Sequence, residues 1–186
     1  MADERDWLLR AQRGDSAAFG ELVRGHQTAV FNVAYRLLGR RQDAEDAAQE
    51  AFMRAYRALD RFDVERPFAP WIKRIATNVC YNWLEKERKR TAVTAADLRR
   101  EGGEPISLDD IAASPATPEH ALAAAEQTDR VRAALLQLPP RYRVVVELRH
   151  FQDLSYAEIA EVVERPLSDV KSDLFRGRKK LAQLLK

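Results

Sequence analysis

The sequence predicts an all-α protein, built as two small helical units joined by an acidic tether. Three observations carry that prediction. Apolar residues recur at helical spacing over most of the 186 residues, while strand-like alternation is weak and no internal repeat is evident. The periodic stretches open on residues that cap helices, and the first closes on a glycine. One long stretch after Arg90 breaks the pattern and collects acids, prolines and paired glycines.

Asp15 is suited to cap a long helix that closes at Gly39, with Phe19, Leu22, Val23, Val30, Val33, Ala34 and Leu37 as its apolar stripe. Gly25 is the place where this helix is open to interruption. In "DAEDAAQEAFMRAYRALDRF", Glu45 and Asp46 favour the dipole of the first turn, and Ala48, Phe52, Ala55, Tyr56 and Leu59 form one stripe. A third helix starts near Pro70, a residue that tolerates a first turn, and runs through "WIKRIATNVCYNWLEKERKR".

The tether, 93–127, carries Asp97, Glu101, Glu104, Asp109, Asp110, Glu119 and Glu126 against only Arg99 and Arg100, and its end starts a helix from about Pro118. Residues 1–92 and 128–186 are then the two units. In the second, Ser155 followed by Glu158 forms a capping box that starts a short helix carrying Ile159, Val162 and Val163. A turn at Glu164, Arg165 and Pro166 leads to a basic helix capped by Ser168. Short helix, tight turn and longer basic helix make a helix-turn-helix.

The 46% hydrophobic content is enough for a core, and the net charge of +2 names no partner until its distribution is read. One cysteine, Cys80, excludes an intramolecular disulfide framework, and three scattered histidines, His26, His120 and His150, offer neither a metal cluster nor a catalytic set. No metal and no cofactor are expected. No apolar run approaches the roughly 20 residues of a membrane span, so a cytoplasmic protein is expected.

Two surfaces remain for chemistry. At about 100° per residue, Val170, Leu174, Gly177, Leu181 and Leu185 lie on one side of the last helix, and Ser168, Ser172, Phe175, Arg176 and Lys179 on the other. Hydroxyls and cations at that spacing suit a DNA groove, with Arg178 and Lys180 placed to reach phosphates. On the helix after Pro70, Ile72, Ala76, Val79, Cys80 and Trp83 project inward, leaving Trp71, Arg74, Asn78, Tyr81 and Glu85 on the opposite face. Rings beside a guanidinium and an amide are what unpaired bases need, since a ring stacks and an amide reads an edge. The competing reading is that Trp71 and Tyr81 pack against another helix.

Taken in order, "GDSAAFGELVRGHQTAVFNVAYRLLG", "DAEDAAQEAFMRAYRAL", "PFAPWIKRIATNVCYNWLEKERKR" and "ALLQLPPRYRVVVELRHFQDLSYAEIAEVVERPLSDVKSDLFRGRKKL" resemble the extracytoplasmic-function sigma factors, promoter-recognition subunits of bacterial RNA polymerase. The resemblance implies that Asp46, Gln49, Glu50 and Phe52 sit on the helix that grips the clamp coiled coil of the polymerase's largest subunit; the flap is a second contact. It implies a −10 base pocket in "DVERPFAP", with Phe68, Trp71, Lys73, Arg74, Asn78 and Asn82 at the DNA. It implies −35 readout by Ser168, Lys171, Ser172, Asp173, Phe175, Arg176 and Lys179. The tether, especially "SLDD", would thread the polymerase channel, and an anti-sigma partner is implied. Such a protein is not an enzyme. The other reading is a helix-turn-helix regulator that binds operator DNA without polymerase, which would have no need of Asp43 to Phe62 or of the aromatic face at Trp71.

Several positions depart from the family. Glu164 stands where a glycine is frequent, which argues against an obligatory left-handed backbone there. Ser168 and Asp169 replace a Gly-Thr pair, Asp173 replaces a basic residue, Asn82 an acid and Glu85 a base. Asp169 compensates a helix dipole; Asp173 either pairs with Arg176 or accepts a bond from a cytosine amino group. The −35 preference is expected to differ from that of relatives.

Overall fold

A computed structural model describes residues 4–94 and 118–185. Within them the chain is helical, with α1 Glu4–Gln12, α2 Ser16–Leu38, α3 Arg41–Ala58, a 3₁₀ turn Leu59–Arg61, α4 Phe68–Thr94, α5 Pro118–Leu136, α6 Pro140–His150, α7 Tyr156–Val163 and α8 Leu167–Leu184. Most of the expected tether, including "SLDD", lies outside the described residues.

Asp15 caps α2 as expected, accepting from the N–H groups of Ala17 at 3.0 Å and Ala18 at 3.1 Å. Those bonds, the Ala18 one foremost, and the Arg10 guanidinium hold its carboxyl below the usual range. Gly39 closes the helix at φ +81°, its N–H returning to Tyr35. The helix runs unbroken through Gly25, because burial of Leu22 and Val30 on either side outweighs the roughly 1 kcal/mol that a glycine costs in a helix. In α3 the buried positions are Ala44, Ala47, Ala48, Ala51, Phe52 and Ala55. Alanines at that stripe let α2 and α4 come close on both sides, and Ile72, Ala76, Val79 and Cys80 of α4 complete the core. Burial pushes the Cys80 thiol up to about 12.

In the second unit α6 presents Val144, Val145, Val146 and Leu148 to Leu135, Leu138, Ile159, Val163, Val170 and Leu174. Gly177 lets α8 cross α6, since a Cβ there would stand 3.0 Å from Val146 Cγ2. The capping box is present: Glu158 Oε2 accepts from Ser155 N–H at 2.8 Å, and Ser155 Oγ from Glu158 N–H at 3.3 Å.

Two expectations about the turn fail. Glu164 is left-handed, at φ 51° and ψ 46°. Its N–H turns back to Glu161 O and that of Arg165 to Ala160 O, the closure usually given to glycine, at a cost of about 1–2 kcal/mol for a side chain in that region. Ser168 is not a cap. Extended Pro166 takes that place, its carbonyl accepting from Asp169 and Val170, so α8 starts two residues earlier than the hydroxyl suggested.

The two units lie against each other. Arg143 is buried and donates to Leu37 O of α2, to Leu135 O at 3.1 Å, to Leu136 O at 2.6 Å and to Leu138 O at 3.1 Å. One guanidinium thus satisfies carbonyls at the C-terminal ends of two helices, where a cation suits the dipole. Burial draws it down to about 10. Beside it Arg36 of α2 makes a bidentate pair, 2.8 and 2.9 Å, with Glu147 of α6, whose side chain is wholly buried. Gln152 donates to Thr77 of α4 at 2.9 Å.

Candidate nucleic-acid interface

The outer face of α8 forms one surface. Ser168, Lys171, Phe175, Arg176 and Lys179 are exposed, Phe175 by 71%, and Ser172 is half-buried. A ring that exposed gains nothing from folding, and its neighbours are cations. Arg176 reaches the Tyr142 hydroxyl; that bond, with a second from Arg141, lowers the phenol below its ordinary value. Arg178 is occupied, donating to His150 Nε2 at 3.0 Å, and burial and then Arg178 lower the imidazole.

Asp173 does not belong to this surface. It is 3% exposed, on the side of Val170, Leu174 and Gly177, and its Oδ2 accepts from Arg165 Nη1 at 2.6 Å. Neither expected role holds: Arg176 is not its partner, and no base can reach it in this arrangement. Burial is the strongest single influence on Arg165 and works against its charge, but the bond to Asp173 and the attraction of Asp173, Tyr81 and Asp169 together outweigh it, so the guanidinium is raised. Arg165 also lies 3.6 Å from Asp169. The two acids therefore fix the arginine of the turn and set how α8 leaves α7.

The polar face of α4 is less open. Arg74 donates to Glu158 Oε1 at 2.8 Å, so the guanidinium expected at the −10 element meets the capping box of α7. Glu158 is in turn lowered by the Ser155 backbone and hydroxyl before Arg74 adds its part. Burial, then Glu85, raises the Tyr81 phenol, which lies near Arg165 and Asp173. Trp71, Lys73 and Asn78 are half-buried and Asn82 is exposed. Phe68 is wholly buried, a correction to its expected place at the DNA. Its ring centroid stands 5.5 Å from Trp71 and 5.9 Å from Phe62, and Phe62 stands 4.5 Å from Trp71. Phe68 supports the tryptophan from within the core.

A third surface is an apolar groove between α2 and α3, lined by Phe19, Phe31, Gln49, Phe52, Met53 and Tyr56 among others. Met53 is 50% and Tyr56 44% exposed. Of the four residues expected at the polymerase, Gln49 and Phe52 line this groove. Asp46 is exposed outside its lining, and Glu50 turns toward α4, accepting from Trp83 Nε1 at 2.9 Å and pairing with Arg54. Met53, not singled out in the sequence, and Tyr56, read there only as part of the apolar stripe, also line the groove. Their signal was there, four and seven residues beyond Gln49 on the same face of the helix.

A helical bundle with an apolar groove, packed on a helix-turn-helix with an exposed basic and aromatic face, has the build of a DNA-binding protein that carries a second, apolar surface. Residues 22–90 match Sigma-70 region 2 and residues 128–181 match Sigma-70 region 4. The chain is 35% identical over 180 residues to the ECF RNA polymerase sigma factor SigW of Bacillus subtilis, covering 96% of this chain and 95% of that protein. It is 37% identical over 190 residues to the RNA polymerase sigma-H factor of Pseudomonas aeruginosa, covering 100% of this chain and 96% of that one. Among solved structures it resembles CnrH in complex with the cytosolic domain of CnrY, with a TM-score of 0.59, 27% identity, and coverage of 98% of this chain and 96% of that one. The chain belongs to the ECF sigma factors, and the reading as a regulator independent of polymerase is not favoured.

Among the described residues no group of three or more His, Cys, Asp or Glu could hold a metal ion, and no helix is long and apolar enough to cross a membrane.

Proposed function

We propose that the α2–α3 groove receives the clamp coiled coil of core polymerase, that α8 reads −35 duplex, and that the polar face of α4 captures an unpaired −10 base. The observation that carries this reading is the α8 face, where Phe175, Arg176 and Lys179 are exposed on the second helix of a helix-turn-helix. Arg176 is the base-reading cation, Phe175 offers apolar contact to a thymine methyl, and Lys171 and Lys179 hold phosphates. Trp71, seated on Phe62 and Phe68, supplies the stacking platform, with Asn78 and Asn82 for base edges and Lys73 for backbone. Unstacking costs a few kcal/mol, so capture of the flipped base drives opening without ATP. The chain contributes binding energy and no bond-making chemistry.

Arg74 must leave Glu158 to face DNA, and polymerase engaging both units separates them. An anti-sigma partner is proposed on the same groove. A likeness of fold, TM-score 0.62 at 21% identity, to RpoE from Bartonella quintana in complex with the anti-sigma factor NepR is compatible with this.

The test is run-off transcription with purified core polymerase on a genomic promoter library. Selective start sites that appear only with the protein support the reading. Starts no more selective with the protein than without it end the reading.

A further inference from the structure

The helix α1 precedes the segment matched to Sigma-70 region 2, which begins at residue 22. Leu8 and Ala11, 2% and 4% exposed, dock it in the core. Its polar residues do something further. Gln12 Nε2 donates to both Leu59 O and Phe62 O, each at 2.8 Å, bridging the two ends of the 3₁₀ turn that leads into the 62–68 loop. At the far end of that loop, Glu4 Oε1 stands 3.4 Å from the N–H of Phe68, one of the orphan donors of the first turn of α4. The other oxygen of Glu4 is 2.8 Å from His26 Nε2, and the His26 ring lies 5.2 Å from that of Phe68. Arg5 pairs with Glu65 in between, an exposed contact worth little. The two anchored residues, Phe62 and Phe68, are the two whose rings support Trp71.

We propose that α1 is a positioning strap for promoter opening: Gln12 at one end, and Glu4 with His26 at the other, fix the 62–68 loop and thereby the Trp71 platform against the captured −10 base. This rests on the −10 reading above. Gln12, Glu4 and His26 touch no DNA; they act through Phe62, Phe68 and Trp71. Their bonds go to backbone groups at the two ends of the loop, while Leu8 and Ala11 dock α1 in the core, so losing one loosens the pocket while the bundle persists.

The experiment pairs protein variants with an abasic scan of the −10 strand, using full-length protein on core polymerase and a promoter recovered from the transcription library. Wild-type holoenzyme loses about tenfold in affinity at the captured position, the scale of one stacked base. Gln12→Glu keeps the shape and removes the N–H donors. It is expected to reduce that loss to about threefold or less, with core binding and −35 dependence unchanged, a coupling that a double-mutant cycle isolates. Gln12→Lys, which keeps donors, restores the loss. Should Gln12→Glu fold poorly by thermal melting, Glu4→Ala releases the other end and is read in the same way. Variants that weaken every template equally, or that leave the tenfold loss intact, overturn the strap. A wild-type holoenzyme insensitive at every abasic position instead overturns the −10 capture reading itself.

Discussion

Helices α4 and α8 carry similar residues on their polar faces, cations beside an aromatic ring, and differ in what lies over them. On α8 Phe175, Arg176 and Lys179 meet solvent, whereas on α4 Arg74 is bound to Glu158 and Thr77 accepts from Gln152, both of the second unit. The same periodic reading separated the inner from the outer side of both helices and could not tell that one outer face is roofed by the other half of the chain. The difference teaches that a helical projection fixes direction and leaves the neighbour open. It also ties the −10 surface to the contacts that hold the units together.

The largest expected effect lies in those contacts. Arg36→Met leaves Glu147 wholly buried without its bidentate partner and is expected to lose about 3–5 kcal/mol in urea unfolding. A concurrent Glu147→Leu recovers most of the loss, because the uncompensated charge is then gone. If the single substitution proves neutral, the units are not held as described. Next is Arg176→Ala on the open face, which costs about 1–3 kcal/mol of −35 binding at fixed salt and relaxes preference at one base pair while the melting temperature stays put.

Asp173→Ala sharpens the contrast within α8. It should lower stability by about 1–3 kcal/mol by freeing the half-buried Arg165, with base preference retained; altered preference at a single base pair would return Asp173 to the readout surface.

Cys80 gives the pH dependence. The folded thiol is held up to about 12 and the unfolded one ionises near 9, so between them the folded state binds the extra proton. Its contribution is fully present below pH 9 and is lost as pH rises toward 12. Burial raises Tyr81 in the same direction. Cys80→Ala should flatten the alkaline limb of a stability profile, measured against wild type. The smallest effect is at the turn, where Glu164→Gly removes left-handed strain against the added entropy of an unfolded glycine, for a net gain of about 0.5 kcal/mol.

Much of this was legible in the chain because it is local. Asp15, Gly39 and the Ser155–Glu158 box act within four residues, and their caps appear where the sequence put them. The inner stripe of α4 followed from periodicity. Glu164 failed because the residue type was weighed without the two carbonyls, Ala160 and Glu161, that its backbone satisfies. Phe68 and Asp173 failed for a shared reason: an aromatic at the start of a helix and an acid at the edge of a basic face look available until the partners outside their own helices, His26 of α2 and Arg165 of the preceding turn, are in place. Glu50 shows the same limit, its partner Trp83 lying on another helix.

The contrast between the open and the roofed helix is tested most directly by fluorescence anisotropy of the free chain, without polymerase, at one salt concentration. The two probes are a −35 duplex and a −10 single strand from the same promoter. The duplex should bind with an affinity that depends on Arg176, and the single strand only at the non-specific level until core polymerase is added. Base-specific binding of the −10 strand by the free chain, as tight as by the holoenzyme, would contradict the account.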